Sequence, residues 1–170
     1  PATSELGSDY TDAGATATDN RDGTVEVVVS STSNQNTLGT QYIFYTATDA
    51  AGNEVQVYRT LNVIDTTDPV FTSGNNFVVA ENQTAIGTMT ATDLDTLTFS
   101  ISDVVGGDIP NAIVISSSGA LSFVQAPDWE DRSEVYYTAT VTVADTSGNS
   151  VSTPITVAVT DVGGFDDNPD

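Results

Sequence analysis

Val63-Ile-Asp-Thr-Thr-Asp-Pro-Val-Phe71 divides the chain. An apolar alternating run ends there, two aspartates and a proline follow, and a second alternating pattern begins. Proline has no N–H to give to a sheet ladder, so Pro69 terminates a β element, while Asp65 and Asp68 place carboxylate oxygens where two domains would meet. The stretch reads as a linker between two β domains and as a cation site.

Outward from the linker the hydrophobic period is two nearly everywhere, and no stretch sustains a helical pattern. Before it, 24–29, 41–48 and 54–64 read as strands, with Ile43, Tyr45 and Ala47 on one face and Val55, Val57, Leu61 and Val63 on another. Arg59 falls in that apolar phase, which calls for either a bulge or an arginine whose stem is buried and whose head reaches an acid. After it, 76–80, 85–92, 97–102, 112–115, 120–123, 134–143 and 151–160 read as strands, a number and spacing that suit a sandwich. Val135, Tyr137, Ala139, Val141 and Val143 alternate with Tyr136, Thr138, Thr140 and Thr142, as in a strand with one face in the core. Ser117-Ser-Gly119 is a hairpin turn. The expected fold is all-β, two tandem immunoglobulin-like Greek-key β-sandwiches over 1–69 and 70–162, with 163–170 a linker to a following module.

A domain of roughly 70 residues has a marginal core and needs a disulfide, a metal or a neighbour. The chain has no cysteine, so metal or neighbour remains. Its 24 Asp plus Glu face 3 Lys plus Arg, a formal net charge of -21, with no lysine and no histidine. That balance makes nucleic acid and anionic membrane poor partners, and none of either is expected. Hydrophobic residues at 38%, in β-branched alternating runs, argue for folded sheets over an acidic disordered segment. No run of about 20 apolar residues is present, so no membrane insertion is expected. No signal peptide opens the sequence, and the segment reads as an interior piece of a longer secreted or cell-surface protein. Richness in Thr, Ser, Gly, Asn and Asp without Cys fits a bacterial extracellular repeat protein.

The halves repeat each other. Asp49-Ala-Ala-Gly-Asn53 recurs as Asp145-Thr-Ser-Gly-Asn149, each a hairpin turn with a glycine for positive φ. Asp49 and Asp65 are 16 positions apart, as are Asp145 and Asp161. Asp19 and Asp93, each in Ala-Thr-Asp, stand 30 and 52 positions before the turn aspartates, so the second domain has room for extra strands. Turn capping by itself accounts for about half of these aspartates. It does not account for the recurrence of the whole set with almost no basic residue to compensate it. Ca²⁺ takes about 6 to 8 oxygens and prefers carboxylates, backbone carbonyls and water, which strand ends supply. Asp93 and Asp95, two apart, project to one side, Asp145 leaves a neighbouring strand, and Asp65 and Asp68 would close a site from the linker.

Residues 70–162 resemble a bacterial cadherin-like domain through Ala80-Glu-Asn82, Ala91-Thr-Asp-Leu-Asp95, Ser118-Gly-Ala-Leu121, Asp128-Trp-Glu130, Val143-Ala-Asp145 and Val157-Ala-Val-Thr-Asp-Val162. The resemblance implies a seven-strand Greek-key sandwich with Ca²⁺ at both ends: Asp93, Asp95 and Asp145 toward the preceding linker, and Glu81, Asp128, Glu130 and Asp161 toward the next. The family's Asp-x-Asn-Asp-Asn linker is here Asp65-Thr-Thr-Asp68, and Val-Gly-Gly-Phe separates Asp161 from Asp166-Asp-Asn168, which leaves the number of ions per junction open. Residues 1–69 resemble the short immunoglobulin-like, hyalin-repeat-like modules of bacterial surface proteins, through Tyr10-Thr-Asp-Ala-Gly14, Ala17-Thr-Asp-Asn20, Asp22-Gly23, Tyr45-Thr-Ala-Thr-Asp49 and Asp65-Thr-Thr-Asp-Pro69. This implies a small sandwich whose Asp19, Asp22 and Asp49 face an upstream module.

Other residues admit a functional and an ordinary reading. Trp129, the one tryptophan, is either a sugar-stacking platform or packing beside the metal site, and large aromatics ordinarily serve burial. Tyr58 and Tyr136 either touch a ligand or form cross-strand pairs. Asn82-Gln-Thr84 is a glycosylation sequon of little weight in a bacterium. Gly106-Gly107 marks a loop and no phosphate cradle, since no helix follows. Without His, Cys or Lys the usual nucleophile and base constellations are missing, and Asp128 with Glu130, on one segment, do not flank a substrate, so an enzyme is not expected. The leading reading is a calcium-stiffened extender in a bacterial adhesin, its partners the neighbouring modules of the same chain. The alternatives are a module binding a cell-surface glycan or protein, and a filament subunit that joins copies of itself. An exposed aromatic cluster favours the binding module, and a bare Thr/Ser/Asp surface favours the spacer.

Overall fold

The computed structural model describes residues 1–30, 33–107, 111–129 and 136–163. The described residues contain strands, turns and bends and no helix, hence none long and apolar enough to cross a membrane. Two compact units divide the chain, Pro1–Thr66 and Thr67–Asp170.

In the first unit the strands are β1 (Ala2–Glu5), β2 (Ala17–Asp19), β3 (Gly23–Val25), β4 (Val27–Val29), β5 (Gly39–Thr48) and β6 (Glu54–Ile64). Four of them form a sheet in the order β1-β6-β5-β4, and β2 pairs with β3 in a separate ribbon. The single strand expected over 24–29 is therefore two, because the chain changes sheets at Glu26. Alternation runs unbroken through Val25 and Val27, so the crossing leaves no mark in the pattern. β1 is polar and short and has no hydrophobic period; it adds in parallel to β6, pairing Ala2 with Leu61 through Glu5 with Ile64.

β5 and β6 pair without a register shift from Gly39–Val63 to Thr48–Glu54, so there is no bulge at Arg59. Of the two accounts of that residue, the buried stem with a reaching head is the one realised. The guanidinium Nη1 donates to Asp12 Oδ2 in an ion pair, Nη2 donates to Gly14 O at 3.0 Å, and the group lies 5.5 Å from the Tyr45 ring centroid. Tyr45 OH donates to the other Asp12 oxygen at 2.5 Å. This network borders a small core of Ile43, Tyr45, Leu61 and Val63, with Ala2, Leu6, Tyr10 and Val27 packed against it. Val55 and Val57, expected on the buried face, are 58% and 55% exposed. The segment that meets this part of the sheet offers Ala15, Thr16, Ala17 and Thr18, whose short side chains leave an open cleft.

The second unit contains β7 (Val70–Phe71), β8 (Asn76–Ala80), β9 (Ala85–Thr88), β10 (Ala91–Thr92), β11 (Thr98–Val105), β12 (Ile113–Ile115), β13 (Ala120–Phe123), β14 (Tyr136–Ala144) and β15 (Ser150–Thr160). Sheets β11-β14-β15-β8 and β12-β13-β9, with the pair β10-β7, make the sandwich. The run expected as one strand over 85–92 is interrupted, β9 joining β13 and β10 joining β7. The alternation of β14 matches its burial, with Tyr137, Ala139, Val141 and Val143 inside and facing Val157, Ile155 and Val151 of β15 or its neighbours across the core. Trp129 is partly buried against this core, the ordinary reading of that residue. The Ser116–Ala120 hairpin forms as expected, with Ser116 N–H donating to Ala120 O and Gly119 N–H to Ser116 O. As in the first unit, the leading strand of the main sheet, β8, adds in parallel to the last, β15.

Candidate metal centre

Strand direction sorts the acidic residues of the second unit into two groups. β11 and β14 are antiparallel and pair Thr98 with Ala144, so the residues just before β11 lie beside those just after β14. Asp93 and Asp145 thereby meet, with a carboxylate oxygen of each within 4.8 Å. Asp145 is only 8% exposed. Its Oδ1 accepts from the N–H groups of Gly148 at 2.6 Å and Asn149 at 2.8 Å, and its Oδ2 from Asn149 Nδ2 at 2.8 Å. Asp93 Oδ1 accepts the N–H of Asp95 at 2.8 Å. Asp95 turns toward the hydroxyls of the next turn, its Oδ2 accepting from Thr146 at 2.5 Å and Ser147 at 3.1 Å. The Thr146 hydroxyl, followed by the Thr96 N–H, holds the Asp95 carboxyl below the usual aspartate range. Asp68 is exposed beside buried Pro69, and Asp65 follows the end of β6.

β15 runs 11 residues from this end to the other, about 34 Å at strand rise. At the far end the parallel pairing of Ala80 with Thr160 sets Glu81 beside Asp161. Glu81 is 2% exposed and clasps two segments: Oε1 accepts the Val162 N–H at 3.0 Å and Oε2 the Trp129 N–H at 2.8 Å, each from the residue that follows an exposed aspartate, Asp161 and Asp128. Asp161 Oδ1 accepts the Gly163 N–H. Glu130, assigned to the same group, lies outside the described residues, as do Asp166 and Asp167.

In the first unit Asp19, Asp22 and Asp49 line one open cleft with Arg21 and Asn53. Asp22 Oδ2 accepts the Ala50 N–H at 3.0 Å, joining the β2–β3 turn to the β5–β6 turn. Asp19 Oδ1 accepts from Arg21 and Asp22. Asp49 repeats the Asp145 pattern, with Oδ1 accepting the Asn53 N–H at 2.7 Å and Oδ2 its Nδ2 at 2.6 Å. Backbone donors of Asp22 and Arg21 lower the Asp19 pKa, and the Asn53 side-chain and backbone amides lower that of Asp49.

One residue in this pattern is absent from the sequence reading. Glu5 ends β1 as Glu81 follows β8, and its Oε1 accepts the Thr66 N–H at 2.6 Å. Glu81 takes the N–H after Asp161, and Glu5 takes the N–H after Asp65. Ser-Glu-Leu carries no alternation and no motif around Glu5; the parallel first-to-last strand pairing exposes the correspondence.

A divalent cation fits the Asp93–Asp145 pair chemically. Two carboxylates there stand within 4.8 Å, one of them buried, and among the described residues the sole ion pair is Arg59–Asp12 in the other unit. Like charges at that separation need a counter-charge, which burial makes more pressing.

Residues 1–63 match the family model described as bacterial surface protein, Ig-like domain. The span that holds Glu5, Asp19, Asp22 and Asp49 is thus similar to Ig-like domains of bacterial surface proteins. No curated protein matches the chain. Among solved structures it is similar to Drosophila N-cadherin EC1-3, at TM-score 0.50 and 20% identity over 74% of this chain and 45% of that one. The human desmocollin-1 ectodomain gives 0.52 and 18% over 94% and 38%, and protocadherin gammaB7 EC3-6 gives 0.51 and 20% over 94% and 49%. The chain spans less than half the length of these cadherin chains, and the likeness is one of fold.

Proposed function

We propose that this chain is a spacer segment of a bacterial extracellular or cell-surface adhesion protein, stiffened by Ca²⁺ at the ends of its sandwiches. The observation that carries the reading is the buried Asp145 carboxylate beside Asp93 with no basic residue among the described ones to neutralise the pair. Asp93 and Asp145 would hold the ion together with Asp65 and Asp68 of the linker and Asp95. Glu81, Asp128, Glu130 and Asp161 would serve the following junction, and Asp19, Asp22 and Asp49 the preceding one. Bound calcium supplies the positive charge that these oxygens lack. The match of residues 1–63 to bacterial surface proteins and the cadherin fold support placement at a cell surface, with neighbouring modules of the same chain as partners.

Calorimetry with Ca²⁺, paired with small-angle scattering, tests this. Specific binding, with a narrow distribution of extended shapes in calcium and a broad one in chelator, is the expected outcome. Binding with identical scattering in both conditions removes the stiffening role. Heats no greater than those of Asp93→Asn/Asp145→Asn protein remove the site.

A further inference from the structure

On the outer face of β5 and β6, opposite the core, stand Tyr42, Phe44 and Tyr58. The register pairs Phe44 with Tyr58, and strand alternation puts Tyr42 on the same face two residues along. Their ring centroids lie 5.4 Å apart for Tyr42–Tyr58, 5.9 Å for Phe44–Tyr58 and 6.3 Å for Tyr42–Phe44. Tyr42 is 49% and Tyr58 61% exposed. A cross-strand pair accounts for two rings; the third extends the patch, with Tyr42 at 29° to Phe44 and Tyr58 standing at 76° to Tyr42 and 58° to Phe44.

What borders the rings identifies the ligand class. Along β5 and β6 the neighbouring positions on this face carry amides and hydroxyls: Gln56 donates to Thr46 at 3.1 Å on one side, and Thr40 to Asn62 on the other, while on β4 the exposed Val28 lies beside Thr46. Among the strands of this sheet the one basic residue, Arg59, is turned inward to Asp12. The first carboxylate along β6 on this face is Glu54, two residues past Gln56 and four from Tyr58. A basic peptide, though drawn by the net charge of -21, would find along β6 no carboxylate nearer the rings than Glu54. An anionic polymer would meet a chain of net charge -21, and so would a second copy of the protein. Neutral sugars suit the surface: the C–H face of a pyranose, slightly positive, stacks on the negative ring faces, while its hydroxyls reach the flanking amides and hydroxyls.

We propose that Tyr42, Phe44 and Tyr58 form a binding platform for neutral, pyranose-containing glycans. It is a site apart from the strand-end carboxylates, and its ligand needs no calcium. The test is affinity electrophoresis of the whole segment through gels containing dextran, β-glucan or galactomannan, with an array of neutral glycans, each in calcium and in chelator. At least one matrix should retard the protein in both conditions. The Tyr42→Ala/Tyr58→Ala protein should lose at least tenfold in affinity with its melting curve retained, and Tyr136→Ala, an exposed tyrosine of the other unit, should bind as before. On the unaltered protein, the ring protons of Tyr42 and Tyr58 should shift on adding the retarding glycan. Absence of retardation and array signal, binding that survives the double substitution, unmoved ring protons, or capture of polylysine or of a second copy in place of glycan would each overturn the proposal. Retardation that persists in chelator while calorimetry shows no calcium binding would leave the platform standing and remove the spacer reading alone.

Discussion

Glu5 accepts hydrogen bonds from both the backbone N–H and the hydroxyl of Thr66, at 2.6 and 3.1 Å, across 61 positions of sequence. The first turn of the linker is thus fastened to the end of β1. Glu5→Ala removes the acceptor for both groups. It should lower the stability of the first unit by about 1–2 kcal/mol, since net contributions of hydrogen bonds to charged groups run near that size. Chemical denaturation followed by tyrosine fluorescence measures it, and an unchanged midpoint would show the contact to be idle.

Asp145→Asn separates the turn from the metal. Asparagine keeps an oxygen for the N–H groups of Gly148 and Asn149, and loses the acceptor for Asn149 Nδ2 together with the charge that opposes Asp93. The calcium-free protein should melt within a few degrees of the parent. The calcium-dependent gain, about 2.7 kcal/mol at 100-fold excess over Kd for a ligand of the folded state alone, should disappear. Paired melting curves in calcium and chelator supply the comparison.

The Asp12–Tyr45–Arg59 network predicts two pH limits for the first unit. Burial pushes the Asp12 carboxyl up, but hydrogen bonds from Tyr45, Gly14 and Arg59 more than offset it and leave the pKa below 3.8. Its contribution is therefore complete above that value and is lost as pH falls through the lower folded one. Burial, then the bond to Asp12, raises the Tyr45 phenol from 10.0 to about 12. That contribution is complete below 10.0 and is lost as pH rises toward 12. Melting temperatures across the acid and alkaline ranges should fall in both windows, and Tyr45→Phe should abolish the alkaline fall.

Removing the head of Arg59 while keeping its stem tests the same network another way. Arg59→Met leaves Asp12 half-buried with one partner fewer and should cost about 1–3 kcal/mol. A change below a few tenths in a urea titration would mean that water replaces the guanidinium.

Among the described glycines of the second unit, Gly119 has the least room for a side chain. A Cβ there would stand 2.2 Å from Met89 O, and φ is +93°. Gly119→Ala should therefore destabilise the sandwich by several kcal/mol, about 3 or more, through clash and strain together. Gly148→Ala, at φ +101° with no atom within 4 Å, should lose only the conformational part. Thermal unfolding of the two variants side by side tests whether crowding or φ governs.

Local pattern determined much of this protein. The alternation from Tyr137 to Val143 specified a half-buried strand because a strand's side chains take opposite faces with a period of two. The two Asp-x-x-Gly-Asn turns were legible because their contacts close within five residues: Asp49 with Asn53 and Asp145 with Asn149 make the same bonds in each half. The aspartates of the candidate metal centre could be proposed on such grounds, but not sorted. That Asp93 meets Asp145 while Asp95 turns to Thr146 depends on the antiparallel register of β11 on β14, which no residue near Asp93 encodes. Glu5, the inward turn of Arg59 to Asp12, the exposure of Val55 and Val57 and the aromatic platform share that reason. Each is made by partners brought together from distant positions, or by the shortness of Ala15 and Ala17 across a cleft, and pairing of strands, not the order of residues along one, places them.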